Sequence, residues 1–109
     1  MKQGLGENTN DKYVIAFAKR TFAEILSCLE PSDFHKADQA ILEAIRIQQE
    51  IGVKPELARS YVSYTQLLIE KGEEEKALEY LGKAIGMFQK MGMVWDLDQA
   101  EQLHRKLRV

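Results

Sequence analysis

The sequence has little of what most functional classes require. Its 109 residues include one cysteine, two prolines and few aromatics, 8% in all. A lone cysteine cannot close an internal disulfide, so the small secreted disulfide scaffold is excluded. No apolar run reaches the roughly 18 residues of a membrane span. Met1 to Asp11 is polar and lacks the apolar stretch of a secretory leader, which gives the expectation of a soluble, cytoplasmic protein. Charge of one sign is also missing. Seventeen acidic and fifteen basic residues leave a net charge of −2, and the lysines and arginines are scattered except for Arg105, Lys106 and Arg108. A nucleic-acid partner, which needs a basic stripe, is not expected. What is present is 45% apolar and 29% charged content, which excludes disorder over most of the length and permits one domain.

Proline and glycine divide the chain. Met1–Asp11, with two glycines and several Asn or Asp residues, reads as a flexible lead capped near Asn10 or Asp11, and residues 12–109 read as a single helical domain. The spacing predicts a first helix from Lys12 to Leu29, stopped by Pro31-Ser32-Asp33. A second helix ends at Gly52, a residue suited to the left-handed conformation after a helix. Pro55 is a natural first helical residue for a third, which Gly72 ends. Glu73, Glu74 and Glu75 suit the first turn of a fourth, closed by Gly92, because negative charge is stabilised there by the helix dipole. A fifth runs from Val94 to about Arg108. Apolar residues recur at three-and-four spacing in each. The second helix places Phe34, Ala37, Ile41, Ala44, Ile45 and Ile51 on one stripe with a polar intruder, Gln48, and the fourth places Ala77, Leu81, Ala84, Ile85, Phe88 and Met91 in the same way. No segment alternates with period two, so the fold class is all-α.

The chain repeats. Displaced by forty residues without a gap, Lys36 falls on Lys76, Ala37 on Ala77, Ala44 on Ala84, Ile45 on Ile85, Gln49 on Gln89, Gly52 on Gly92 and Leu57 on Leu97. A fixed period of this size marks stacked helical hairpins joined by short links. The unit from Ala58 to Met91 resembles the tetratricopeptide repeat family. Tyr61, Thr65 and Leu68 stand at the large, small and large positions of its first helix, Gly72 at its turn, and Ala77, Leu81 and Ala84 at the small, large and small positions of its second. Tyr64 replaces the customary leucine, Thr65 the smaller glycine or alanine, and Gly92 the closing proline. The forty-residue period is similar to the elongated variant in bacterial signalling proteins, where such arrays accompany cyclase or ATPase domains. The resemblance implies antiparallel hairpins stacked as a short right-handed solenoid of about five helices.

The same resemblance implies a protein-binding groove lined by Arg59, Val62, Ser63, Gln66 and Ile69, flanked by Lys19, Phe22 and Leu26 on one side and Gln99, Gln102 and Lys106 on the other. The family's clamp for a terminal carboxylate is not reproduced at Val62 and Ser63. The first helix is apolar around most of its circumference, so a second surface is expected at Tyr13, Val14 and Phe17, covered by another copy of the chain or by a neighbouring domain of a parent protein. Met87, Met91, Met93 and Trp95 read as packing between hairpins.

Catalysis finds little support. The glycines do not follow a phosphate-loop spacing. Cys28, beside Ile25, Leu26 and Leu29, has no neighbouring histidine to activate it and reads as a small hydrophobe. Glu101 and His104 share a helical face as one E-x-x-H pair, which is half of a di-iron motif. The expected function is therefore a non-enzymatic association module without a cofactor, whose partner is a protein, a peptide or itself; the alternative is a small bundle that binds a metal or metabolite through Glu101 and His104.

Overall fold

The computed structural model describes residues 9–29 and 34–107, with side chains described for 10–25 and 34–107. Among the described residues there are five helices and no strand: α1 (Thr9–Leu29), α2 (Phe34–Ile51), α3 (Lys54–Lys71), α4 (Glu74–Met91) and α5 (Val94–Leu107). Each packs against its chain neighbour, and α1 also touches α3. The helices form a slab of 55 × 35 × 19 Å, whose thin dimension fits two layers of helices about 10 Å apart.

Helix α1 begins at Thr9, three residues ahead of the expected Lys12, so Asn10 and Asp11 lie inside it and do not cap it. Asp11 belongs in that first turn for the dipole reason already given for α4. The rest of the expected lead, residues 1–8, lies outside the described residues, as do the Pro31-Ser32-Asp33 stop and Arg108. Glu73 takes the cap position of α4 without a side-chain cap bond, leaving Glu74 and Glu75 in the first turn.

The three remaining links share one geometry. Gly52, Gly72 and Gly92 have φ of 72°, 85° and 69°, a region in which any Cβ is strained. The amide after each glycine turns back on the helix it has left: Val53 donates to the Gln48 carbonyl at 3.2 Å, Glu73 to Leu68 at 2.9 Å and Met93 to Phe88 at 3.0 Å. This bond satisfies a carbonyl that the helix end would otherwise orphan. The carbonyls of Val53, Glu73 and Met93 then accept the first bond of the following helix, from Leu57, Ala77 and Leu97. One turn used at twenty-residue intervals sets successive helices antiparallel.

The core contains Ala37, Ile41, Ala58, Tyr61, Tyr64, Leu68, Ala77, Leu81, Ala84 and Phe88, with Ala100 from α5. The four alanines of the α2 and α4 stripes, Ala37, Ala44, Ala77 and Ala84, are fully buried, which lets neighbouring helices approach closely. Tyr80 packs its ring against Tyr61 and Tyr64, with centroids 5.5 and 4.9 Å away. The polar intruder in the α2 stripe has a purpose: Ser60 Oγ donates to Gln48 Oε1 at 2.6 Å, stitching α2 to α3. Forty residues on, the corresponding positions are Phe88 and Ala100, both buried. The second interface thus replaces a hydrogen-bonded pair with an apolar one of large and small side chains. Thr65, standing where a smaller residue was expected, is fully buried and satisfies its hydroxyl on the Tyr61 carbonyl one turn back, at 2.8 Å.

Candidate protein-interaction surface

Charges join the odd-numbered helices side by side. Arg20 of α1 lies 2.9 Å from Glu56 of α3, Glu56 lies 2.7 Å from Arg59 of α3, and Arg59 reaches Asp96 of α5 at 3.0 Å. Glu56 is buried, only 5% exposed, although it sits in the first turn of α3, where the dipole favours it. Its two arginines are held differently. Arg59 makes aligned bonds to Glu56 Oε2 and, through two nitrogens, to Asp96. The Asp96 carboxylate, helped by Glu56, holds the Arg59 guanidinium above its ordinary pKa. Arg20 approaches Glu56 Oε1 without hydrogen-bond alignment, and its buried Nε has no partner. Its guanidinium also lies 5.1 Å over the Phe17 ring.

Above this ladder α1, α3 and α5 enclose a cavity of about 290 Å³. Arg20 and Glu24 form one wall, Arg59, Val62, Ser63 and Gln66 the middle, and Trp95, Asp96, Gln99 and Ala100 the other wall, over a floor made by Phe88. Glu24 accepts a bond from Ser63 Oγ at 2.5 Å. Trp95 is not the packing residue expected from the sequence: it stands at the rim, 72% exposed.

Of the residues expected in a groove, Arg59, Val62, Ser63, Gln66 and Gln99 come together in this cavity. Ile69 is half-buried against the core. Gln102 is exposed and donates to Asp98 at 2.9 Å, and Lys106 is exposed near the end of α5. Lys19 and Phe22 do not line the cavity. They border a different one, of about 400 Å³, against Lys36, Gln39, Ala40 and Glu43 of α2, where Lys19 pairs with Glu43 at 2.6 Å. The side chains of Leu26 and Cys28 lie outside the described residues.

The physical reason is a difference in link length. Four residues, 30–33, separate α1 from α2, whereas the later links have two. A forty-residue displacement therefore places α1 two residues out of register, and the matching displacement is forty-two. Arg20 and Glu24 then correspond to Val62 and Gln66, and Ala16 and Ala23 to the buried Ala58 and Thr65. The longer link was the signal that could have found them. Asp96 and Trp95 carried no comparable sign.

The expected self-association residues lie within about 100° of one another around α1, with Phe17 between Tyr13 and Val14. Tyr13 and Phe17 lie toward the side that carries Arg20 and Glu24, and Val14 borders the face of Ile15, Phe22 and Ile25; all six of these apolar side chains are exposed. Glu101 and His104 are partly exposed on α5. Among the described residues no group of three or more His, Cys, Asp or Glu side chains is arranged to hold a metal ion, so they remain two ligands on one helix. No helix among the described residues is long and apolar enough to cross a membrane.

Compared with models of known families, with curated proteins and with solved structures, the chain matches none.

Proposed function

We propose that this chain is a non-catalytic protein-association module of the tetratricopeptide kind, with its hairpins stacked as a short right-handed solenoid and its ligand held between α1, α3 and α5. The observation that carries this reading is the cavity in which Val62 and the exposed Trp95 offer an apolar platform above the buried Phe88, while Gln66 stands in the middle and Gln99 on one wall. The uniform hairpin turns and the ion pairs between odd-numbered helices support the stacked arrangement.

The arginines are already engaged with carboxylates, and the side chains of the ladder and its walls (Arg20, Arg59, Glu24, Glu56 and Asp96) nearly balance in charge. The platform therefore suits a peptide or helix with a bulky apolar side chain, whose backbone amides bond to the glutamines, over a strongly acidic or basic segment. This differs from the expectation that Arg59 would fix a polar group of the ligand.

Selection from a random-peptide library against the full chain tests the reading. Selected peptides are expected to share a bulky apolar anchor and to bind at least tenfold more weakly to Val62→Asp and Trp95→Ala, with helicity unchanged by circular dichroism. Equal binding by both variants, or failure to select any peptide, overturns it.

A further inference from the structure

Three helices of this chain carry the same face. On α3 it comprises Leu57, Ser60, Tyr64 and Leu67, and α2 lies against it: Ser60 bonds to Gln48, and Leu67 borders a small void with Ile41. On α5 the corresponding residues are Leu97, Ala100, His104 and Leu107, set against α4, with Ala100 fully buried. On α1, in the forty-two-residue register, they are Ile15, Ala18, Phe22 and Ile25. There the face is bare: Ile15 is 41%, Phe22 52% and Ile25 50% exposed. A face covered by a preceding helix on α3 and on α5 is uncovered on α1 among the described residues.

We propose that a second copy of this chain covers it, with α1 packed antiparallel against α1 of its partner across a two-fold axis. The stripe is its own complement. Its spacing of three, four and three residues is that of a two-helix seam, and it is palindromic in character about a point at Arg20. In an antiparallel pair Ile15 meets the partner's Ile25, and the small Ala18 receives the partner's Phe22, so each bulge faces a recess.

The exposed area points the same way. Val14, Ile15, Phe22 and Ile25, with Leu42 of α2 beside them, expose on the order of 500 Å² of apolar surface per copy, within the ~300–600 Å² of a monomer's largest and often functional patch and somewhat over half of the ~800 Å² that a stable interface needs per partner. The cavity at Phe22 and the one at Leu42 share Gln39 and Glu43, so the patch continues onto α2. At the other end α5 exposes Asp98, Gln102, Arg105 and Lys106, with Val94 and Trp95 exposed in its first turn. That face lacks the palindromic stripe of α1, and a self-complementary face closes as a two-fold dimer. This face lies away from the groove, so dimerisation stands or falls independently of peptide binding.

Sedimentation equilibrium of the full chain over a wide concentration range tests the proposal. A monomer–dimer equilibrium is expected, weakened at least tenfold by Phe22→Lys and left unchanged by Phe17→Lys, which lies about 140° around α1 from Phe22 and outside the seam. Ala18→Phe and Phe22→Ala are each expected to weaken dimerisation, and the double exchange to restore it, because antiparallel pairing sets position 18 against position 22. A strict monomer, equal sensitivity to Phe17→Lys, or an exchange that fails to restore the dimer overturns the proposal. Peptide binding by the Phe22→Lys variant, measured alongside, separates loss of the dimer from loss of the fold.

Discussion

Glu56 is the keystone of the charge ladder, and the two arginines that it holds predict an unequal response to mutation. Glu56→Gln keeps the side chain's shape and removes its charge. Arg20, whose side chain is only 10% exposed, then has no carboxylate among the described residues, because its ion pair is with Glu56 alone. Stranding one member of a buried pair costs about 3–5 kcal/mol. Arg20 borders the cavity and can draw in water, so the lower end of that range, about 3 kcal/mol, is expected. In a chain of this size that is a fall of roughly 12–20 °C in Tm. Arg20→Met should do much less. Glu56 keeps Arg59 at 2.7 Å in an aligned bond, the lost Arg20 contacts are an unaligned approach to the carboxylate and a long 3.5 Å bond to the Glu56 carbonyl, and methionine fills the vacated volume, so the expected cost is below about 1.5 kcal/mol. The double variant should be more stable than Glu56→Gln alone, since no buried charge is left stranded. Urea unfolding of the four proteins, with m-values compared, measures these differences. If Arg20→Met costs as much as Glu56→Gln, or if the double variant recovers nothing, the reasoning about the ladder is refuted.

Three further outcomes follow from the geometry. Gly72→Ala places a Cβ at φ 85°, so it should destabilise by about 1–2 kcal/mol although no atom crowds the site; a thermal melt unchanged from wild type would contradict the turn. Phe88→Ala empties the floor beneath α3 and α5 and should cost about 3–5 kcal/mol in urea unfolding, with a loss below 1 kcal/mol counting against tight packing there. Burial, reinforced by the nearby Asp38 carboxylate, pushes the Tyr64 phenol up to about 12, so the folded chain keeps its proton where the unfolded chain, with a phenol pKa near 10, has lost it. Its contribution is complete below pH 10 and is lost as pH rises toward 12; the urea midpoint should therefore fall more steeply there for the wild type than for Tyr64→Phe, and parallel curves would refute the assignment.

Much of the fold was legible in the residues because its causes are local. A glycine twenty residues from the next, a proline in the first turn of α3 and acidic residues opening α4 each act within one helical turn, so the ends of α2 through α5 could be placed closely. The buried alanines of α2 and α4 were legible for a related reason: a stripe at three-and-four spacing marks the packed side of a helix wherever that helix lies. Gln48 was read correctly as an interruption of its stripe, but its bond to Ser60 requires knowing which residue of α3 faces it.

The candidate site was legible on α3, where Arg59, Val62, Ser63 and Gln66 share a face by their spacing alone. It was misread on α1, where Lys19 and Phe22 were assigned in place of Arg20 and Glu24. A slip of two residues turns a helix by about 200°, enough to carry a side chain from one side of the helix to the other. Helix identity, helix length and the turn residues were thus determined by the sequence itself, because backbone preference and capping are short-range effects. The azimuth of α1, the buried Arg20–Glu56–Arg59–Asp96 ladder and the bare face of α1 were decided only by tertiary packing, because each depends on which residues a neighbouring helix, distant in sequence, places opposite.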